Sequence, residues 1–196
     1  MDTNPALPAA PFLLLGLGNP GREYRQNRHN IGFMALDRLA ERLNVSFNRV
    51  ESKALLCKTD YEGSRLLLAK PQTFMNLSGT AAGSLLRYYK IPLEHFMVIY
   101  DDVDLDFGVI RLRPDGGSAG QKGMQSIVER LGTQTFPRLR LGIGRPPGRM
   151  EAADYVLQDF SRQETELLAE LLDRATQAMF TFVKYGLTTA MNQYNG

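Results

Sequence analysis

Apolar and polar positions follow two periods along this chain, and the switches between them outline an α/β domain. Phe12-Leu13-Leu14-Leu15 is a continuous apolar run, the pattern of a strand buried on both faces, and Gly16-Leu17-Gly18-Asn19-Pro20-Gly21 stops it. After a polar stretch, Phe33, Leu36, Ala40 and Leu43 recur at helical spacing, with Asn30 placed as an N-cap. Residues 54–60 and 64–70 flank Tyr61-Glu62-Gly63 and predict a hairpin. Leu77, Ala81, Leu85 and Tyr88 mark a second helix that must end before Pro92, and residues 96–100 read as another buried strand. Residues 109–113 and 138–143 alternate as half-exposed strands do, and Met124, Ile127, Val128 and Leu131 place a third helix between them. Ser161-Arg162-Gln163-Glu164 is a capping box opening a long amphipathic helix that Gly186 ends. Strands interleaved with helices predict one α/β domain over 12–196, with a mixed twisted β-sheet flanked by helices on both faces. Residues 1–11 read as a disordered leader.

In such sheets the ligand crevice lies beyond the carboxyl ends of the strands. Polar clusters follow the predicted strands at 19–30, 72–76, 101–106, 116–123 and 145–149, so loops from different strands can converge on one site. Two familiar motifs occur and fail on context. Gly16-x-Gly18-x-x-Gly21 matches the dinucleotide fingerprint, but Pro20 interrupts the loop, no apolar helix face follows at once, and Asp37 falls inside a helix. Gly116-Gly117-Ser118-Ala119-Gly120 matches the nucleophile elbow, but the helical period begins only at Met124 and no histidine follows Ser118. A Ser118 esterase is the rival enzyme; the loop itself reads as flexible and backbone-donating.

Composition narrows the chemistry. The chain has 196 residues and a net charge of +2, too small to announce nucleic-acid binding unless charges cluster. Arg111 and Arg113 share one face of a strand, and Arg138 and Arg140 repeat the pattern; the four form either a phosphate-gripping patch or a solvated edge. Cys57 is the only cysteine and sits in a strand-like run, so a small buried side chain in a reducing, cytoplasmic-type compartment is expected. The start lacks the basic segment of a secretory signal, and no apolar run approaches the ~20 residues of a membrane span.

Two histidines are present. His95 precedes a strand beside Glu94 and reads as a surface residue, whereas His29 lies in a polar loop and is either a solvated loop residue or a general base. Asp101 is the first acid beyond a buried strand. Three readings stay open for 101–106: a solvated acidic loop, a carboxylate site for Mg²⁺, or an Asp101 that holds one His29 nitrogen and raises the basicity of the other. Asn19 and Asn76 are either turn residues or amides gripping a peptide backbone or an oxyanion.

Several segments together are far more specific than any of these signals: Gly16-Leu17-Gly18-Asn19-Pro20-Gly21-x-x-Tyr24, Arg28-His29-Asn30-x-Gly32, Pro71-x-Thr73-Phe74-Met75-Asn76-Leu77-Ser78-Gly79, Asp101-x-x-Asp104-Leu105 and Arg138-Leu139-Arg140-x-Gly142-Ile143-Gly144-Arg145-Pro146. In this order they resemble bacterial peptidyl-tRNA hydrolase, from about Phe12 to the C-terminus. The resemblance implies a monomeric, cytoplasmic enzyme that releases peptide from peptidyl-tRNA, with neither metal nor cofactor, which decides against the Mg²⁺ reading. It implies His29 as general base, Asp101 as its orienter, Asn19 and Asn76 on the peptide carbonyl or water, and Met75 and Tyr24 lining the cleft. Arg111, Arg113 and Arg140 match the set that holds the tRNA 5′ phosphate, and residues 145–154 resemble a mobile lid. The family commonly has Gly-His-Asn-Gly where this chain has Gly120-Gln121-Lys122-Gly123; the Asn role does not transfer to Lys122, whose ammonium donates only. A relative in plant chloroplasts resembles an RNA-splicing partner, so a non-catalytic RNA-binding scaffold is the alternative outside enzymes. The retained His29, Asp101, Asn19 and Asn76 argue against it.

Overall fold

The run Phe12 to Leu15 offers solvent no polar side chain, and it forms the middle strand, β1 (Phe12–Gly16), of the sheet. The computed structural model describes residues 9–196. Among these, β2 (Arg49–Glu51), β3 (Ala54–Tyr61), β4 (Ser64–Pro71), β5 (Phe96–Asp102), β6 (Ile110–Arg113) and β7 (Arg138–Gly142) complete a seven-stranded sheet in the order β2-β3-β4-β1-β5-β7-β6. Strands β4, β1, β5 and β7 run parallel, and β2, β3 and β6 pair antiparallel to their neighbours. The expected mixed sheet is the one observed. The hairpin turn is tight: Glu62 and Gly63 both have positive φ, 49° and 82°, which suits the right-handed twist of the flanking strands.

Helices α1 (Ile31–Arg42), α2 (Ser78–Tyr89), α3 (Lys122–Leu131), α4 (Ala152–Tyr155), α5 (Thr165–Tyr185) and α6 (Leu187–Tyr194) follow. Side chains alternate along β1 and β5, so each strand feeds two cores. Leu14, Met97 and Ile99 pack with Leu36 and Leu39 of α1 and Met179 and Phe182 of α5. Leu13, Leu15, Val98 and Tyr100 pack with Ala81 and Leu85 of α2 and Ile127 of α3. Burial raises the Tyr100 phenol and the Cys57 thiol above their ordinary pKa values, and Cys57 is the small buried side chain expected. Among the described residues, no helix is long and apolar enough to cross a membrane.

Several expectations need correction. Asn30 precedes α1 but makes no side-chain cap; its amide instead bridges the backbone of Asn19. Arg138 is not on a half-exposed strand, because β7 lies between β5 and β6 and its guanidinium is buried, donating to the carbonyls of Gly116, Gly117 and Gln134. That burial lowers the Arg138 pKa from its ordinary value. Periodicity also missed β2, α4 and α6, all short. Of the leader, residues 1–8 lie outside the described residues. The Ala9 carbonyl accepts from Arg65 at 2.9 Å, and the Ala10 carbonyl lies 3.1 Å from His95 Nδ1. His95 is therefore no free surface residue: its ring stacks on Phe12, with centroids 4.1 Å apart.

Candidate active site

Gly32 sets the distance between α1 and the sheet. A Cβ there would lie 2.4 Å from the Ile99 carbonyl oxygen and 2.6 Å from the backbone N and O of Leu17, so only glycine lets the start of α1 rest on the carboxyl ends of β1 and β5. The tight turn before α1, Arg28–Asn30, is thereby held over β5. His29 Nδ1 lies 2.8 Å from Asp101 Oδ2, across 72 positions of sequence. Asp101 is 4% exposed, and its other oxygen accepts from Gln121 Nε2 at 3.0 Å.

This pair opens into a cleft of about 530 Å³ whose walls include Asn19, His29, Met75, Asn76, Asp101, Ser118, Gln121 and Lys122. The Asn19 side-chain oxygen accepts from the Met75 N–H at 2.8 Å, so its amide nitrogen is the group left to donate. Met75 is buried, with its sulfur 3.4 Å from Gln121 Nε2, and Asn76 is exposed on the wall. Ala152, Ala153, Val156 and Leu157, in and after α4, form a further wall, which includes the end of the segment resembling a lid. The backbone N–H groups of Arg28 and His29 donate to the carbonyls of Gln158 and Val156, at 2.9 and 2.8 Å, and so join that wall to the histidine turn.

Not every expected residue reaches the cleft. Tyr24 sits in the separate turn Arg22–Tyr24 and is not part of its wall. Arg111 pairs in register with Arg140, and Arg113 with Arg138, so the four do share a face, beside the cleft rather than within it. Buried Arg138 drops out of any surface patch. Arg140 donates to Asp102, and Arg111 donates to the Asn195 carbonyl from one nitrogen, while Arg113 is exposed. Ser118 lines the cleft, but among the described residues its hydroxyl has no hydrogen bond to a histidine. The acids at 101 and 102 both belong to β5 and point to opposite faces, toward His29 and Arg140 respectively.

Sequence reasoning passed over three groups that build this site. Gln121, expected to act through a flexible backbone loop, uses its side chain. Its signal was its position three residues before the apolar period at Met124. Strand alternation puts Asp102 on the face of β5 opposite Asp101, where Arg140, in register with Tyr100 on the neighbouring strand, donates to it. Arg28 is buried between Tyr155 and Phe160, 4.6 and 4.9 Å from their ring centroids, and its guanidinium takes both oxygens of Glu164 at 2.9 and 2.8 Å. Glu164 also closes the expected capping box with the Ser161 N–H at 2.7 Å, and hydrogen bonding to Arg28 holds its carboxyl below the usual range.

A mixed α/β sheet with an imidazole–carboxylate pair at the carboxyl ends of its central strands defines a class of proteins built around a polar, strand-end cleft. The comparisons give the family within that class. Residues 13–196 match the family model described as peptidyl-tRNA hydrolase, and the chain belongs to that family. It is 50% identical over 185 residues to the peptidyl-tRNA hydrolase of Chloroflexus aurantiacus, covering 94% of this chain and 98% of the relative. It is 51% identical over 170 residues to the chloroplastic peptidyl-tRNA hydrolase of Arabidopsis thaliana, covering 86% of this chain and 59% of that longer protein. The crystal structure of peptidyl-tRNA hydrolase from Acinetobacter baumannii superposes with a TM-score of 0.89 at 33% identity, covering 97% of each chain.

Proposed function

We propose that this chain releases peptide from peptidyl-tRNA by hydrolysing the ester between them, with His29 as the general base. Family membership supports the reaction, and the 2.8 Å contact between His29 Nδ1 and Asp101 inside the cleft carries the mechanism. The buried carboxylate accepts a hydrogen bond from Nδ1–H, which leaves the free lone pair on Nε2. Nε2 takes a proton from water as the water oxygen attacks the peptide carbonyl carbon. The resulting oxyanion is within the province of amide donors such as Asn19 and Asn76. The C–O bond to the ribose then breaks, and the imidazolium returns its proton to the departing ribose oxygen. An ester has a far better leaving group than an amide, so no covalent intermediate is needed; a positioned base contributes about 10²–10⁴-fold.

Arg111, Arg113 and Arg140 bind phosphate of the tRNA beside the cleft, which positions the acceptor end without reading bases. The enzyme acts in the cytoplasm as a monomer and without metal; the buried single cysteine is consistent with a reducing compartment.

Hydrolysis of N-acetyl-aminoacyl-tRNA tests this reading. The wild type should cleave it in the presence of a chelator, and His29→Ala should lose most of the rate while still binding tRNA. Full activity in His29→Ala, or complete inhibition by the chelator, rejects the mechanism; a protein that binds tRNA and never cleaves the ester is the scaffold.

A further inference from the structure

The N-cap of α3 is the wrong residue for a cap alone. Helices prefer Ser, Thr, Asp or Asn there, because a short side chain reaches the N–H two or three positions on. Here the position holds Gln121, in extended backbone conformation (φ −73°, ψ 115°), and its Oε1 accepts from the Met124 N–H at 2.7 Å. The longer amide does a second thing that none of the usual caps can do: its Nε2 donates to Asp101 Oδ1 at 3.0 Å. The packing makes room for it. A Cβ on Gly123 would lie 2.6 Å from Met75 Sδ and 3.0 Å from Gln121 Oε1, so glycine at 123 leaves space for both groups. Gln121 itself is 8% exposed.

We propose that Gln121 is a positioning residue, whose amide couples the start of α3 to Asp101 and thereby fixes the tautomer of His29. The inference rests on the base mechanism above and adds the group that sets it. A backbone N–H can only donate, so the Met124 N–H dictates that the oxygen of the Gln121 amide faces the helix. The nitrogen must then face Asp101. With Oδ1 accepting from that nitrogen and Oδ2 facing the imidazole, the carboxylate is the acceptor at both oxygens, and Nδ1 of His29 is the protonated nitrogen. The fixed end of a helix thus determines which imidazole nitrogen is free for water.

The decisive variant is Gln121→Glu, which keeps an oxygen for the Met124 N–H but replaces the donor to Asp101 with a second negative charge. The other ionisable groups near the pair are accounted for. Arg28 precedes His29 but is bound to Glu164, Asp102 on β5 is bound to Arg140, the Tyr100 phenol on β5 is pushed above its ordinary pKa by burial, and Lys122 stands on the cleft wall at the start of α3. The α4 wall and the 74–76 turn present only neutral residues to the cleft.

Steady-state hydrolysis of N-acetyl-aminoacyl-tRNA across pH, together with ¹⁵N NMR of histidine-labelled protein without substrate, tests the proposal. Because the chain has only two histidines, His29→Ala assigns the spectrum. Gln121→Glu should lower kcat about 10- to 100-fold with KM nearly unchanged, as misplacing a catalytic group does. A second carboxylate favours the imidazolium, so the acidic limb of the rate profile should move up by about one pH unit. The wild-type spectrum should show His29 protonated at Nδ1, Gln121→Glu more imidazolium at the same pH, and Gln121→Ala, which frees the carboxylate to rotate, a mixture of tautomers. Gln121→Ala should also lower kcat, with a small loss of melting temperature from the missing cap. A wild-type tautomer in folded Gln121→Ala together with an unshifted limb in folded Gln121→Glu overturns the proposal, as does a rise in KM with kcat and limb unchanged, which would make Gln121 a substrate contact. If the spectra change as expected but His29→Ala retains activity, the base mechanism fails while the coupling of Gln121 to the imidazole stands.

Discussion

Replacing Glu164 with Gln isolates the ion pair that holds the histidine turn against α4 and α5. In the wild type the Arg28 guanidinium, its side chain 8% exposed, takes both carboxylate oxygens of Glu164 and stacks between Tyr155 and Phe160. Among the described residues its Nε has no hydrogen-bond partner, and Glu164 is the carboxylate that receives its other two nitrogens. Gln keeps one acceptor for Arg28 and removes the charge. Breaking a fully buried pair costs ~3–5 kcal/mol, but the Glu164 side chain is 23% exposed and water screens part of the loss. One charge-assisted hydrogen bond is worth ~1.5–3 kcal/mol, which puts the variant at about 2 kcal/mol less stable. In a chain of this length that is a fall in melting temperature of roughly 4–8 °C. The pH dependence has a definite sign. The Glu164 carboxyl is held below its ordinary value of 4.5, so its contribution is complete above that pH and disappears as pH falls through the depressed value. Calorimetric melts from pH 7 to pH 3 should therefore show the gap between wild type and Glu164→Gln narrowing below pH 4.5. A gap under 1 °C at pH 7, or one equally wide at pH 3, would show that the pair does not stabilise the turn.

Three further outcomes follow from the same structure. Gly32→Ala should cost ~1–3 kcal/mol or more and abolish most activity, since the atoms nearest the new methyl are backbone that cannot swing aside and the strain pushes His29 away from Asp101; an unchanged melting curve refutes the close-approach argument. Arg113→Ala should weaken tRNA binding at low salt, with a difference that fades as salt rises and a salt dependence reduced by about one phosphate; equal affinity at low salt removes Arg113 from the interface. Asp173→Asn breaks the surface link from α5 to Arg38 and Arg42 of α1, which lowers the Asp173 pKa to about 2. Because that carboxylate is 36% exposed, the loss should be under ~1 kcal/mol, shrink in high salt and persist to pH 4, fading only toward pH 2; a loss as large as that of Glu164→Gln would contradict the exposure argument.

The linear order of residues determined the elements, because strand and helix periods are local properties of the chain. Runs such as 12–15 and 96–100 can satisfy their apolar side chains only inside a sheet, and stripes such as Met124 to Leu131 only on its faces, so the α/β class and the two-sided cover were legible before any coordinates. Resemblance likewise marked His29 and Asp101 as partners. What the chain order cannot express is adjacency between distant positions. The same alternation made Arg138 and Arg140 look equivalent, yet the loops at 116–117 and 134 fold over one guanidinium and bury it, while the other reaches the Asp102 carboxylate. Glu164 looked like a cap and nothing more until the fold brought Arg28 to it across 136 positions. Gln121 and Asp101 are likewise neighbours only because α3 begins where β5 ends. Burial and hydrogen-bond pairing depend on which elements pack together, and that is decided by the sheet order, not by any local window of sequence.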